Sequence, residues 1–160
     1  MSLTKVVSDI YKIDSPIHDV YALLSDFNRM GKLFEMAKAM GMFNDSQFAK
    51  ISEKIEHVSF SEDACFLTVR NLGEVVIKIV EREEPKLIKL GGEGALPLEF
   101  NLWLQFLENA PYDTRMKITF QGDLNVMLKM LVKGKLEKGI NQLAEGLTKI
   151  PYSLLVNRTM

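Results

Sequence analysis

With 160 residues, 20 basic against 21 acidic side chains and a net charge of −1, the chain has the size of one domain and lacks the basic excess of a nucleic-acid binder. Hydrophobic content of 47% and charged content of 26% suit an ordinary water-soluble fold, and the apolar runs fall short of the roughly 20 residues that span a bilayer, so no stable membrane insertion is expected. Cys65 is the single cysteine, which excludes an intramolecular disulfide and fits a reducing compartment. No apolar signal segment follows Met1, so a cytoplasmic location is expected.

Val6 to Ile13 reads as a first strand. Asp14-Ser15-Pro16 then opens a helix, with Ser15 as cap, Pro16 at the first helical position and Asp19 near the positive end. Ile17, Val20, Tyr21, Leu23, Leu24 and Phe27 recur at helical spacing. Gly31 and Gly41 punctuate a second, Met-rich helical piece containing Leu33, Phe34, Met36, Met40 and Met42, which leaves through Asn44-Asp45-Ser46.

Strands follow, each bounded by a turn signal: Glu53 to Phe60, Ala64 to Arg70, Glu74 to Arg82 and Lys86 to Leu90. Gly91-Gly92-Glu93-Gly94 then reads as a hairpin loop or bulge over a cavity rim. It is not a phosphate loop, because Pro97 and a further strand replace the helix N-terminus that such a loop needs. From Leu98 to Glu108, Leu98, Phe100, Leu102, Leu104 and Phe106 share one face. After the turn at Asn109-Ala110-Pro111, Met116, Ile118 and Phe120 oppose Arg115, Lys117 and Thr119. With the N-terminal run this makes seven strands, whose short connections predict an antiparallel meander.

The last element is a helix from Asp123 to Ile150. Its polar positions move from Asn125, Lys129 and Lys133 to Glu137, Lys138, Asn141, Glu145 and Lys149. Val132, Leu136, Ile140, Leu143, Leu147 and Ile150 form an apolar stripe. A straight amphipathic helix keeps one polar face, so a bend or break is expected between Val132 and Leu136, at Gly134. Residues 152–160 read as a loose C-terminal tail of a single domain spanning 1–160.

Strand, helical pair, strand meander and long terminal helix together resemble the helix-grip fold of the START-like group, also called SRPBCC. That group includes polyketide cyclase and dehydrase-like proteins, plant pathogenesis-related allergens and lipid-transfer domains. The resemblance rests on Tyr11-Lys12-Ile13-Asp14-Ser15-Pro16-Ile17-His18-Asp19-Val20-Tyr21-Ala22-Leu23-Leu24-Ser25-Asp26-Phe27: a strand, a small residue and proline, then a helix ending near Ser-Asp. It implies an α+β fold whose curved sheet grips the terminal helix around an apolar cavity. It carries no family catalytic residue over to this chain.

The function read from this pattern is binding of an apolar small molecule, lipid or polyketide-like, between sheet and terminal helix. The expected lining is Val75, Ile77, Ile79, Phe100, Leu102, Leu104, Phe106, Met116, Ile118, Phe120, Met127 and Leu131. Two alternatives remain open. One is a cyclase or dehydrase-type enzyme, which needs a buried carboxylate, histidine or tyrosine in that cavity. The other is an interaction module with a filled core.

No catalytic residue is assigned, and no cofactor is expected. No metal is expected either, since His18, His57 and Cys65 lack the paired spacing of zinc sites. His57 and Cys65 face each other across a predicted hairpin, the one arrangement that could give a thiol a base, although a chance neighbour is the plainer reading. Trp103 falls in the polar phase of its strand, as packing under a loop or as part of a self-association patch, which makes a homodimer a candidate assembly. Nine methionines, among them Met36, Met40, Met42, Met127 and Met130, suit either a cavity rim or core filling. The terminal-helix lysines are read as a solvated face supported by the Glu145–Lys149 pair.

Overall fold

The computed structural model describes residues 3–39, 53–71, 73–94, 99–123 and 126–159. In chain order the elements are β1 (Leu3–Val7), β2 (Tyr11–Ile13), α1 (Ile17–Leu24), α2 (Phe27–Ala39), β3 (Ile55–Phe60), β4 (Ala64–Val69), β5 (Gly73–Glu83), β6 (Leu87–Gly94), β7 (Phe100–Ala110), β8 (Asp113–Asp123), α3 (Val126–Thr148) and α4 (Tyr152–Thr159). Every strand pairing is antiparallel, in the order β1-β8-β7-β6-β5-β4-β3, with β2 beside β1 on β8. This is the expected meander, closed at one edge by the N-terminal segment. Among the described residues the strands number eight, because the expected first strand is split in two.

The extra strand comes from Ser8. Its N–H donates to the Ile118 carbonyl at 2.8 Å, and its Oγ accepts the Ile118 N–H at 2.9 Å. A side chain thereby takes the place of a ladder partner, and the chain steps off β8 for two residues. The freed Asp9 N–H donates to Asn141 Oδ1 at 2.9 Å, and the Tyr11 hydroxyl donates to the same oxygen at 2.9 Å. One side chain of α3 therefore ties down the interruption in the edge strand.

The first helical run also divides. Asp26 Oδ1 accepts the N–H groups of Asn28 at 2.8 Å and Arg29 at 3.3 Å, which caps a new helix and ends α1 before Phe27. Pro16, not Ser15, occupies the cap position of α1, with ψ 142 and no side-chain cap bond. Ser15 contributes its carbonyl instead, accepting the buried Thr114 hydroxyl at 2.7 Å. Gly31 sets how closely α2 lies on β3: a Cβ there would come within 2.6 Å of the Phe60 ring. Met40, Met42 and the Asn44–Ser46 exit fall outside the described residues.

Two further expectations are corrected. Gly91 to Gly94 is strand, not loop, paired with β5 along its length and with β7 through Gly91 and Gly92. Backbone hydrogen bonds on both sides outweigh the weak strand preference of glycine. The terminal helix runs continuously from Val126 to Thr148, which corrects the expected break at Gly134, where an added Cβ would meet nothing within 4 Å. One glycine costs a helix only about 1 kcal/mol, less than the hydrogen bonds that a break would sacrifice.

The chain turns at Lys149-Ile150-Pro151 instead. Pro151 starts α4, its carbonyl accepting the Leu155 N–H at 3.1 Å, so residues 152–159 are not a loose tail. Tyr152 is fully buried, with Leu155 and Val156 beside it. Its hydroxyl donates to the Leu147 carbonyl at 2.6 Å, and the Ser153 hydroxyl reaches Asp19 Oδ2 at 3.0 Å on α1.

The core joins Val6, Ile13, Ile88, Leu104, Phe106, Met116, Ile118 and Phe120 of the sheet to Ile17, Val20, Leu23 and Leu24 of α1, Ile140 and Ala144 of α3 and Tyr152 of α4. Because Tyr152 belongs to it, Tyr152→Ala is expected to lower unfolding free energy by about 3 kcal/mol or more. A urea titration checks this; a neutral effect would mean that the segment does not hold the core.

Candidate ligand-binding face

In an antiparallel sheet, directly paired residues point to the same side. Val6 pairs with Phe120, Phe120 with Leu102, Leu102 with Leu90 and Leu90 with Ile79. The next row runs Thr4, Gly122, Phe100, Gly92, Ile77, Cys65, Phe60. Both rows point to the concave side that carries the core. All ten expected lining residues with described side chains, Val75, Ile77, Ile79, Phe100, Leu102, Leu104, Phe106, Met116, Ile118 and Phe120, lie on this face. The side chains of Met127 and Leu131 lie outside the described residues.

Burial divides the ten. Ile79, Leu104, Phe106, Met116, Ile118 and Phe120 are packed into the core, and Val75 is buried. Ile77, Phe100 and Leu102 remain only partly buried although they point inward. Val58, Leu67 and Leu90 on the same face share this property. The sequence pattern did not single these three out, because which residues stand next to Ile77 and Leu102 depends on cross-strand register. The helices explain the division. Among the described contacts, α3 packs on β1, β2 and β8, α1 on β7 and α2 on β3. The part-exposed residues cluster towards the start of β7 and the end of β6.

Glycine shapes this end. A Cβ on Gly92 would collide with the Phe100 ring, which lies across the Gly92 backbone. Phe100 also stacks on Phe120 with centroids 5.6 Å apart and planes at 28°, a favourable offset arrangement. The result is an aromatic pair set into the sheet, with part of the Phe100 ring uncovered.

Chemistry on this face is sparse. Cys65 points inward, while His57, paired with Thr68, lies on the opposite face, so His57 does not stand beside the thiol. Burial pushes the Cys65 thiol up to about 11, which leaves it protonated and unreactive at neutral pH. Burial first, and then the charges of Asp9 and Glu145, raise the Tyr11 phenol above its ordinary range; it is engaged as donor to Asn141. No group of three or more His, Cys, Asp or Glu able to hold a metal occurs among the described residues. His18 is exposed on α1. Trp103 is on the convex face, covered by Lys89, whose Nζ lies 5.2 Å from the ring centroid. Lys149 pairs with Glu145 at 4.0 Å, at the solvated end of α3. No helix among the described residues is long and apolar enough to cross a membrane.

The architecture and its concave apolar face define a START-like, or SRPBCC, helix-grip fold, and this chain has that fold. The chain is similar to a norcoclaurine synthase point mutant from Thalictrum flavum, solved with a transition-state analogue: TM-score 0.62 and 11% identity, covering 100% of this chain and 99% of that one. It is also similar to TTHA0849 from Thermus thermophilus, at TM-score 0.57 and 14% identity over 91% and 95% of the two chains. A third similar structure is Ara h 8.0201, at TM-score 0.50 and 10% identity over 99% and 98%. At the level of sequence, neither a family model nor a curated protein matches.

Gly92→Ala is expected to destabilise the protein by about 1–3 kcal/mol, because the added methyl displaces the Phe100 ring. In a double-mutant cycle read by urea unfolding, Phe100→Ala should remove most of that penalty. Additive effects would show that the ring does not depend on Gly92.

Proposed function

We propose that this protein binds an apolar small molecule, lipid or polyketide-like, against the open end of the concave sheet face. One observation carries the reading. Val58, Leu67, Ile77, Leu90, Phe100 and Leu102 point to the side where the core lies, yet keep exposed apolar area. Exposed apolar surface is ordinary on a convex face. On a concave face it gives an apolar ligand contact on several sides at about 25 cal/mol per Å² of area removed from water.

The packed residues Leu104, Phe106, Met116 and Ile118 form the floor that holds this surface in shape. Ile77, Phe100 and Leu102, with Met127 and Leu131 from α3, are the contacts we assign to the ligand. Norcoclaurine synthase from Thalictrum flavum, similar in fold, has been solved in complex with dopamine and hydroxybenzaldehyde, so a chain of this shape accommodates small organic molecules. The buried, protonated thiol of Cys65 and the phenol held by Asn141 offer no acid–base pair, and the reading assigns binding without catalysis. The free thiol suits a reducing compartment, and we place the protein in the cytoplasm.

Native mass spectrometry of the full chain tests this. The expected spectrum shows a mass excess that is lost on denaturation, and the emptied protein then binds lauric acid with saturation. Leu102→Gln should weaken that binding about tenfold or more by placing an amide in the apolar contact. Absence of any bound mass together with no saturable uptake of lauric acid would favour a filled-core interaction module and overturn the reading.

A further inference from the structure

A second hollow lies outside the concave face, where the junction of α1 and α2 meets the β3–β4 turn and the far end of β5. It has a volume of about 490 Å³ and is lined by Tyr21, Ala22, Ser25, Asp26, Arg29, Glu62, Arg82 and Glu84. That volume falls in the usual range for small-molecule sites, roughly 300–1,000 Å³. Its walls are fixed by hydrogen bonds. The Phe27 N–H donates to the Glu62 carbonyl at 3.1 Å. Arg82 donates to the Ser25 carbonyl through Nε at 3.1 Å and Nη2 at 2.9 Å, and to Asp63 Oδ1 at 2.6 Å.

Both guanidinium groups are held in place by the protein along part of their edge. Arg29 donates to the Ala22 carbonyl at 3.2 Å and lies 3.8 Å from Asp26 Oδ2. Among the described residues Glu62 and Glu84 take part in no ion pair. Tyr21 is only 5% exposed, lines the hollow, and its hydroxyl has no hydrogen-bond partner among the described residues. Burial and the Glu84 carboxylate push the phenol above its ordinary range, with Arg82 opposing, which places the hydroxyl within electrostatic reach of both. A ligand that bonds this hydroxyl gains a hydrogen bond that the protein itself does not make.

We propose that this hollow is a second ligand site, taking a small organic ammonium, with the Tyr21 hydroxyl and the carboxylates of Glu62 and Glu84 as its acceptors. An ammonium brings donors and a positive charge to a rim whose lining carries three carboxylates against two guanidiniums, each guanidinium already paired with a carboxylate, Asp26 or Asp63. Ammonium–carboxylate contacts are charge-assisted and among the stronger hydrogen bonds. An anion would meet the carboxylates of Glu62 and Glu84 beside guanidiniums that already have carboxylate partners in Asp26 and Asp63. The site is separate from the concave face, so it stands or falls independently of the apolar-ligand reading.

The test is a titration of the full ¹⁵N-labelled chain with 1,4-diaminobutane at low ionic strength, with 1,4-butanediol and inorganic phosphate as parallel probes. The expected result is saturable amide shifts at Tyr21–Asp26, Glu62 and Glu84 with the diamine, and none with the diol. Glu84→Gln and Glu62→Gln should each weaken binding about tenfold. Tyr21→Phe should weaken it severalfold, and it keeps the fold because the deleted hydroxyl has no partner among the described residues. Phosphate binding in the hollow, equal binding of the diol, or diamine affinity unchanged in both glutamine variants would overturn the proposal.

Discussion

One constraint governs this molecule: among the described residues, the concave apolar face of a curved sheet of eight strands is closely packed at one end and only partly buried at the other. The α3 helix settles on β1, β2 and β8, with α1 and α4 closing the core beside it. Covered, the concave residues form a close-packed floor; beyond the helices, the same face continues as part-exposed Ile77, Leu90, Phe100 and Leu102. Stability and the proposed binding surface thus belong to two ends of one face. A substitution in the floor costs cavity energy, whereas one at the open end bears mainly on what the face can hold.

The seating of α3 depends on two small features. Ala144 is fully buried beside Ile140, and its size lets the helix approach the sheet closely. Asn141 holds both the Asp9 N–H and the Tyr11 hydroxyl, locking the helix to the step between β1 and β2. That step exists because Ser8 replaces a ladder bond with its hydroxyl. The edge strand is therefore interrupted where the helix needs a polar grip, and the interruption also blunts an edge that would otherwise invite pairing with another chain.

Much of this was legible in the sequence, and the misses have physical causes. The alternation of Phe100, Leu102, Leu104 and Phe106 and of Met116, Ile118 and Phe120 fixes the phase of β7 and β8, since one face is buried and a slip would expose it. The strand–proline–helix order of the opening was legible from local signals, although its strand divides at Ser8 and Pro16, not Ser15, takes the cap position. What failed depended on distant partners. Gly91 to Gly94 looks like a loop because nothing local shows that β5 and β7 pair with it on both sides. Leu143 falls on the apolar stripe yet is 44% exposed while Ala144 is buried, because close approach, not hydrophobicity, selects the contact. Tyr152 gives no helical period in so short a stretch, and its burial comes from packing of α4 against α1. The phase of the concave face was legible; its division into packed and part-exposed residues was not, because that follows from which strands the helices pack on.

The central claim is that a ligand lodges against the open end of the concave face. Methyl-resolved NMR of the labelled full chain during addition of lauric acid tests it most directly. The account predicts saturable shifts concentrated at the methyls of Leu67, Ile77, Leu90 and Leu102, with Ile13, Ile88 and Ile118 in the packed core nearly unmoved. Shifts confined instead to Val7, Ile10 and Leu107, exposed away from the concave face, would contradict it.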